Sequence, residues 1–386
     1  MTDSAARAPL SPEDPALVYN SQAGSMVFAC GIVFKVSSLP GLVAETLGTS
    51  VLWLYLFMLA VDIALLAAVF FFARSGADLL PSVRRAAAYR AVCAVMSAYL
   101  CLKGLLYFVY IVIFLTMDLF MGIDIYIVVL VLAPPVIYIA AKGWRALARI
   151  SELLAPILLL LIVTDLVFLQ TDADFGRHLP ADLLSPREFF GEGLRYSLWL
   201  GDLFPLLFVR IKNKRLPHIL IGSGLAYAVV VTVALLAVAM YGAALPYVYN
   251  MLIRISGFNL LSLEIGRMEW TALFVVVTMA VLGLALLLRG AGEASRRAAG
   301  TSAPAFVLFA AGAVACMFVP TLHTVADFCY SPAFGYAMFA LALALAAAFA
   351  AFGAYAKSRR ARPAAPEPSR ETAPAGGETA PEEVRP

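Results

Sequence analysis

Four ionisable side chains sit deep within apolar stretches of the sequence: Lys35 in GIVFKVSS, Asp62 in MLAVDIAL, Lys103 in YLCLKGLL and Asp202 in LWLGDLFP. A charge at the centre of a membrane-spanning helix costs about 2.5–3.5 kcal/mol on insertion scales, so each needs a partner or a task. Two cations and two anions at similar depth can neutralise one another. Two readings of this network stay open. In one, Asp62–Lys103 and Lys35–Asp202 are buried salt bridges that only hold helices together. In the other, Lys35 and Asp202 meet the carboxylate and amino groups of a bound ligand, with a proton-coupling role for Asp202 as a weaker variant.

Little else in the chain suggests chemistry. There is no nucleophile motif, phosphate-binding glycine loop, HExxH or GxGxxG, so an enzyme is not expected, nor is a metal or cofactor. The five cysteines, Cys30, Cys93, Cys101, Cys316 and Cys329, form no CxxC pair and read as small buried residues. His323 reads as structural. Glu152 and Asp165 fall toward opposite ends of one apolar segment, where water is expected to reach them.

The elements that must position the four charges follow from composition. The chain has 386 residues, of which 62% are hydrophobic and 14% charged. A soluble domain is nearer half apolar and a quarter charged. The net charge of +3 is small and its basic residues lie between apolar runs, which argues against nucleic-acid binding. About 20 apolar residues span a bilayer as a helix. Ten such segments are expected: 22–47, 50–72, 87–116, 122–141, 145–169, 187–211, 216–241, 268–289, 303–320 and 332–356. The runs are too long and too little alternating for strands, so the fold class is an all-α polytopic membrane protein.

Lys and Arg orient it. Arg74, Arg84, Arg85 and Arg90 lie between segments 2 and 3; Lys142, Arg145 and Arg149 between 4 and 5; Arg210, Lys212, Lys214 and Arg215 between 6 and 7. Arg289, Arg296 and Arg297 lie between 8 and 9, and Lys357, Arg359, Arg360 and Arg362 follow segment 10. The alternate connections are poor in both residues. Both termini are therefore expected in the cytoplasm. Residues 1–20 lack an apolar core and read as a cytoplasmic tail, not a signal peptide. Residues 357–386 read as a disordered tail, dominated from 363 by Pro, Ala, Glu and Gly. The long connection at 242–267, with Tyr247, Tyr249, Ile253 and Phe258, is expected to lie as a short helix on the membrane surface.

Two segments are interrupted. Gly24, Gly31, Ser37, Ser38, Pro40 and Gly41 punctuate segment 1, and Gly191, Gly193, Gly201 and Pro205 punctuate segment 6. Pro removes a backbone donor and Gly weakens helix continuity. Pro134, Pro135 and Pro156 in segments 4 and 5 read as ordinary kinks. Segments 1 and 6 open two sets of five helices, 21–170 and 187–356, and an odd number of crossings inverts the second set. Paired broken helices in a five-plus-five inverted repeat form a midplane substrate site in transporters. The candidate ligand-binding residues are Gly31, Lys35, Ser37, Ser38, Pro40, Gly41, Ser197, Trp199, Gly201 and Asp202.

The stretch GIVFKVSSLPGLVAETLG resembles the opening helix of the B subunits of bacterial spore germinant receptors. The matching residues are Gly31, Leu39, Pro40, Ala44, Glu45 and Gly48. RISELLAPILLLLIVTDLVFLQTDADFGRHLP is similar to that family's fifth helix and the segment after it, and YSLWLGDLFPLLFVRIKNKR to its sixth. Asp202 stands where that family usually has Glu, Lys35 stands in a usually apolar stretch, and the Ala-rich tail is extra. The family belongs to the amino acid–polyamine–organocation (LeuT-like) transporter superfamily. The resemblance implies ten helices and a small nutrient, usually an amino acid, held between helices 1 and 6. It further implies a membrane A subunit and a lipoprotein C subunit as partners, in the bacterial cytoplasmic or spore inner membrane. A ligand-sensing receptor subunit, an amino acid permease working by alternating access, and a scaffold with a vestigial site all fit this pattern.

Overall fold

The computed structural model describes residues 17–37, 43, 47, 50–75, 83, 86–119, 123–169, 186–212, 216–248, 250–258, 269–318, 325, 328–329 and 331–361. They are almost entirely helical. Seven helices are long and apolar enough to cross a membrane, and they coincide with expected segments 2, 3, 4, 5, 7, 8 and 10. They are α3 (Val51–Ser75), α4 (Ala87–Ile113), α5 (Ile125–Lys142), α6 (Trp144–Val167), α8 (Leu216–Tyr241), α10 (Glu269–Ala299) and α12 (Pro332–Ala361). Helices α5 and α6 run on through Pro134, Pro135 and Pro156, and only Gly143, at φ 95°, separates them. A residue with Cβ is strained at that angle.

The three remaining segments are shorter or broken. Segment 1 runs as α1 (Asn20–Gly31), bends at Ile32 and resumes as α2 (Val33–Ser37). Segment 6 begins as α7 (Pro186–Arg195) and then unwinds. A 3₁₀ turn at Ser197–Trp199 gives way to extended backbone at Leu200, and Pro205 helps start a second 3₁₀ turn at Phe204–Phe208. The chain finishes this segment as a strand, not a helix. Segment 9 is α11 (Ala303–Cys316). Helix α10 outruns the expected 268–289, so Arg289, Arg296 and Arg297 stand on a helix instead of in a loop. Gly290 and Gly292 are sites of close packing against Pro205 and Phe306.

Between α8 and α10, a 3₁₀ turn (Gly242–Tyr247) leads to α9 (Met251–Ser256). The expected surface helix is short, as read, but it does not lie on the surface. Met251, Leu252, Ile253, Ile255 and Ser256 are buried, and α9 packs on α2, α8 and α10. Its apolar side chains find a protein groove in place of lipid. Asp165, at the same end of α6, is likewise fully buried rather than water-exposed.

Segment 1 packs on segments 5, 7 and 8, and segment 6 on segments 10, 8 and 2; segments 2 and 10 also pack on each other. Segment 4 packs on 8, and 9 on 3; segments 3 and 8, 2 and 7, and 4 and 9 pack on each other. Segments 1 and 7 approach closely at glycine. A Cβ on Gly222 would fall 2.2 Å from the Gly24 carbonyl oxygen, and one on Gly24 would fall 2.5 Å from that of His218. Small residues allow such backbone approach where lipid supplies no hydrophobic drive between helices. All five cysteines are buried and free.

At one end of the bundle, two short strands join segments 1 and 6. Leu17–Val18 (β1), just before α1, pairs in parallel with Arg210–Ile211 (β2), at the end of segment 6. The start of segment 1 and the end of segment 6 therefore share one face.

Candidate functional site

The four buried charges stand together where segments 1 and 6 are broken. Lys35 Nζ lies 3.1 Å from Asp62 Oδ2 and 3.1 Å from Asp202 Oδ2. Lys103 Nζ lies 2.7 Å from Asp202 Oδ1. The order is Asp62–Lys35–Asp202–Lys103, a chain and not two pairs. Of the two expected pairings, Lys35–Asp202 is made. Asp62 instead takes Lys35, and Lys103 takes Asp202. The lysine on segment 1 reaches both acids.

The elements that hold these groups explain the geometry. On α4, Tyr99, Lys103 and Tyr107 are four residues apart, so they form one stripe along the helix. That stripe faces the unwound part of segment 6, whose carbonyls lack helical partners. The Tyr99 hydroxyl donates to Leu200 O at 3.4 Å, and Tyr107 donates to Leu198 O at 3.2 Å. Lys103 Nζ also donates to Leu200 O. Buried main-chain groups need such partners, and α4 provides three. The single Tyr107 O–H is shared between Leu198 O and Asp202 Oδ1, the latter at 2.9 Å.

Asp62 is satisfied differently. The Gly201 N–H donates to its Oδ1 at 2.9 Å, and the Tyr227 hydroxyl of α8 donates to its Oδ2 at 2.5 Å. Gly201 has φ 77°, and an added Cβ would lie 2.9 Å from the Phe204 ring. Glycine is what lets this N–H turn toward Asp62. On α3, Tyr55 lies seven residues before Asp62, two helical turns away, and donates to the Lys35 carbonyl at 2.8 Å. The Lys35 ammonium also lies 5.1 Å from the centre of the Tyr227 ring. Five segments, 1, 2, 3, 6 and 7, thus converge on one neutral cluster. Its side chains are between 0% and 8% exposed, with Asp202 the most accessible.

An aromatic group adjoins the charges. Trp199 stacks on Tyr107 at 5.0 Å, and Phe34 packs on Tyr107 at 4.0 Å. The Trp199 Nε1 is buried with no hydrogen-bond acceptor among the described residues. A buried N–H in that condition carries a desolvation cost of about 1–3 kcal/mol. A methyl group built on Gly31 would meet nothing within 4 Å among the described residues. Gly31 is also the one partly exposed position between buried Cys30 and Ile32.

Among the other candidate residues, Ser197 donates to Leu194 O at 2.5 Å and so caps its own turn. Ser37 ends α2. Ser38, Pro40 and Gly41 lie outside the described residues, as does His323. The sequence reading missed the tyrosines Tyr55, Tyr99, Tyr107 and Tyr227. The Tyr-x₃-Lys-x₃-Tyr spacing around Lys103 is the signal that could have found two of them.

The set offers no nucleophile poised beside a base. It can exchange ion-pair partners and hydrogen bonds without a change of net charge. No family model matches the sequence, and no curated protein matches it.

Proposed function

We propose that this chain is the membrane-embedded nutrient-binding subunit of a germinant receptor, of the B-subunit kind, and takes an amino acid between segments 1 and 6. The observation that carries the reading is the meeting of two broken segments through Lys35 and Asp202, 3.1 Å apart and buried. Unwound carbonyls beside paired charges are what a small polar ligand needs in an apolar bundle.

The charge count supports the ligand class. Two lysines and two aspartates sum to zero. A zwitterion entering between Lys35 and Asp202 places its carboxylate on the ammonium and its own ammonium on the carboxylate. One ion pair becomes two, and the site stays neutral. A ligand with net charge leaves a buried charge unpaired, at a cost of several kcal/mol. The free Nε1 of Trp199 and the open side of Gly31 suit a ligand with a further acceptor.

Part of the packing supports two inverted fives. Exchanging each segment with the one five places away converts the 1–7 contact into 6–2, 1–5 into 6–10, and 4–8 into 9–3, whereas the extensive 2–10 contact has no comparable 7–5 counterpart among the described residues. It returns 3–8, 2–7 and 4–9 to themselves. With the Lys and Arg distribution, this fits cytoplasmic termini in a bacterial cytoplasmic or spore inner membrane. Membrane A and lipoprotein C subunits are the partners this reading requires.

The test is a thermal-stability screen of the purified protein with amino acids, nucleosides and sugars. A neutral amino acid is expected to stabilise it, by about 2.7 kcal/mol at a hundredfold excess over its Kd. Absence of a shift with every compound overturns the reading. Uptake of the labelled ligand by proteoliposomes holding this chain alone would make the protein a permease instead.

A further inference from the structure

We propose that the turn between α5 and α6, with Arg289 of α10, forms a binding site for a phosphate-bearing anion on the Lys- and Arg-rich face of the bundle. The site is separate from the charges at the helix breaks and rests on no reading of their ligand. Gly143 is the N-cap of α6 and has φ 95°. It brings no side chain, and no side-chain hydrogen bond caps the first turn of α6. The first N–H groups of a helix need partners that the helix cannot supply, and with the helix dipole they favour an anion. Helix α10 packs on both α5 and α6, and the group it brings to this turn is a cation. A Cβ on Gly143 would lie 3.7 Å from Arg289 Nη2 and 3.8 Å from its Cζ. A guanidinium beside the positive end of a helix is repelled unless a negative group lies with them.

The donors at this turn lack acceptors. Trp144, the first residue of α6, is 1% exposed, and its indole N–H has no hydrogen-bond partner among the described residues. Arg289 Nε is buried in the same condition. The guanidinium lies over the Trp144 ring, with Cζ 5.7 Å from the ring centre. That face is a weak substitute for an acceptor. The Glu293 carboxylate stands 3.9 Å from Arg289 Nη2, too far for a hydrogen bond, and both its oxygens already accept from Arg296. Residues 142–149 add Lys142, Arg145 and Arg149 and no acid. The Arg289 side chain is 22% exposed, so the guanidinium can be approached from water. An anion seated between Arg289 and the first turn of α6 supplies acceptors to the guanidinium, the indole and the backbone together, and it turns their mutual repulsion into attraction. A phosphate suits this set, because its several oxygens match a forked guanidinium and still leave acceptors for single N–H donors. Its source is either a lipid headgroup at the membrane edge or a phosphate dissolved in water.

The test uses the full-length protein, purified in neutral detergent and stripped of lipid. Thermal unfolding is followed against sodium phosphate, and separately against micelles doped with phosphatidylglycerol or phosphatidylcholine, with sodium chloride matching the ionic strength. Saturable stabilisation by phosphate or phosphatidylglycerol, and not by chloride or phosphatidylcholine, is expected. Arg289→Gln should weaken it at least about tenfold in apparent affinity, since hydrogen bonds between charged groups are lost. Arg289→Lys should retain part of it. Trp144→Phe, which keeps the ring and removes the N–H, should weaken it roughly three- to tenfold. A response to phosphatidylglycerol alone supports the site and makes its occupant a lipid headgroup; a response to phosphate as well supports it with a dissolved anion as sufficient. Stabilisation that chloride reproduces overturns the site, because that is general screening. Undiminished affinity in Arg289→Gln, or no stabilisation by either probe, also overturns it. If Arg289→Gln does not fold, Arg289→Lys and Trp144→Phe carry the test. The amino acid screen and this one use different probes and different residues, so either can fail alone.

Discussion

The molecule holds two clusters of charged side chains, and they are built on opposite plans. The cluster at the helix breaks has two lysines and two aspartates drawn from four segments, with tyrosines from segments 2, 3 and 7 around it. The other belongs to the far end of α10. There Glu293 accepts from Arg296, at 2.5 Å to Oε1 and 3.1 Å to Oε2. Arg289 and Arg297 lie within 3.9 Å and 3.6 Å of the same carboxylate. Three guanidiniums meet one carboxylate, so the second cluster keeps a positive surplus. All its ion pairs are three or four residues apart on one helix, and the Arg296 side chain is 57% exposed. The first cluster depends on tertiary structure and is neutral because it is buried. The second is local, and water reaches its excess charge chiefly through Arg296, since Glu293 and Arg297 are as buried as the first cluster.

That contrast predicts opposite responses to mutation. The largest effect is expected at Asp202, which bonds both lysines. Asp202→Asn leaves two ammoniums facing a neutral amide and should cost about 3–5 kcal/mol of stability, the usual loss when one partner of a buried pair is removed. Adding Lys103→Met restores neutrality, since Lys35 then keeps Asp62. The double variant should be more stable than Asp202→Asn alone, as read from thermal unfolding in detergent. Simple additivity of the two losses would mean the groups do not act as one neutral set.

The same contrast explains what was legible in the sequence. Hydropathy alone located the seven helices long and apolar enough to cross a membrane, because a bilayer span needs length and apolarity rather than a pattern. The depth of Lys35, Asp62, Lys103 and Asp202 could be read from their places within the apolar runs. Which lysine met which aspartate could not, since it depends on the rotation of each helix. Tyrosine hid for another reason. In an apolar run it passes for a hydrophobe, and its hydroxyl matters only once Leu198 and Leu200 present unwound carbonyls to it. The break at Ile32 falls one residue after a glycine that was read as punctuation. Helix α10 outruns the expected segment because its apolar run stops at Leu288 while the helix continues through Arg289 to Ala299. The spacing of Arg289, Arg296 and Arg297 around Glu293, at four before and three and four after, is itself a helical signature.

A smaller effect is expected at the rim of the buried cluster. Tyr227→Phe deletes one hydrogen bond to Asp62 and leaves the Lys35 and Gly201 bonds in place. The cost should be about 1–2 kcal/mol, since the donor meets a charged acceptor yet is one of three. A loss as large as that of Asp202→Asn would mean that the tyrosine is an integral member of the charge set.

The smallest effect belongs to Arg296→Ala. Its guanidinium makes the shortest contact in the local cluster, 2.5 Å from Glu293. Distance alone would make it the strongest bond. Exposure argues the other way, because water and salt screen the pair and the long side chain loses freedom when held. Glu293 also keeps Arg289 and Arg297 nearby, so the carboxylate is not abandoned. The expected change is at most about 0.5 kcal/mol, and it should shrink further in high salt. A salt-independent loss of several kcal/mol would place Glu293 and its arginines in the same class as the buried charges, and the division between a neutral inter-helix cluster and a single-helix end cluster would fail.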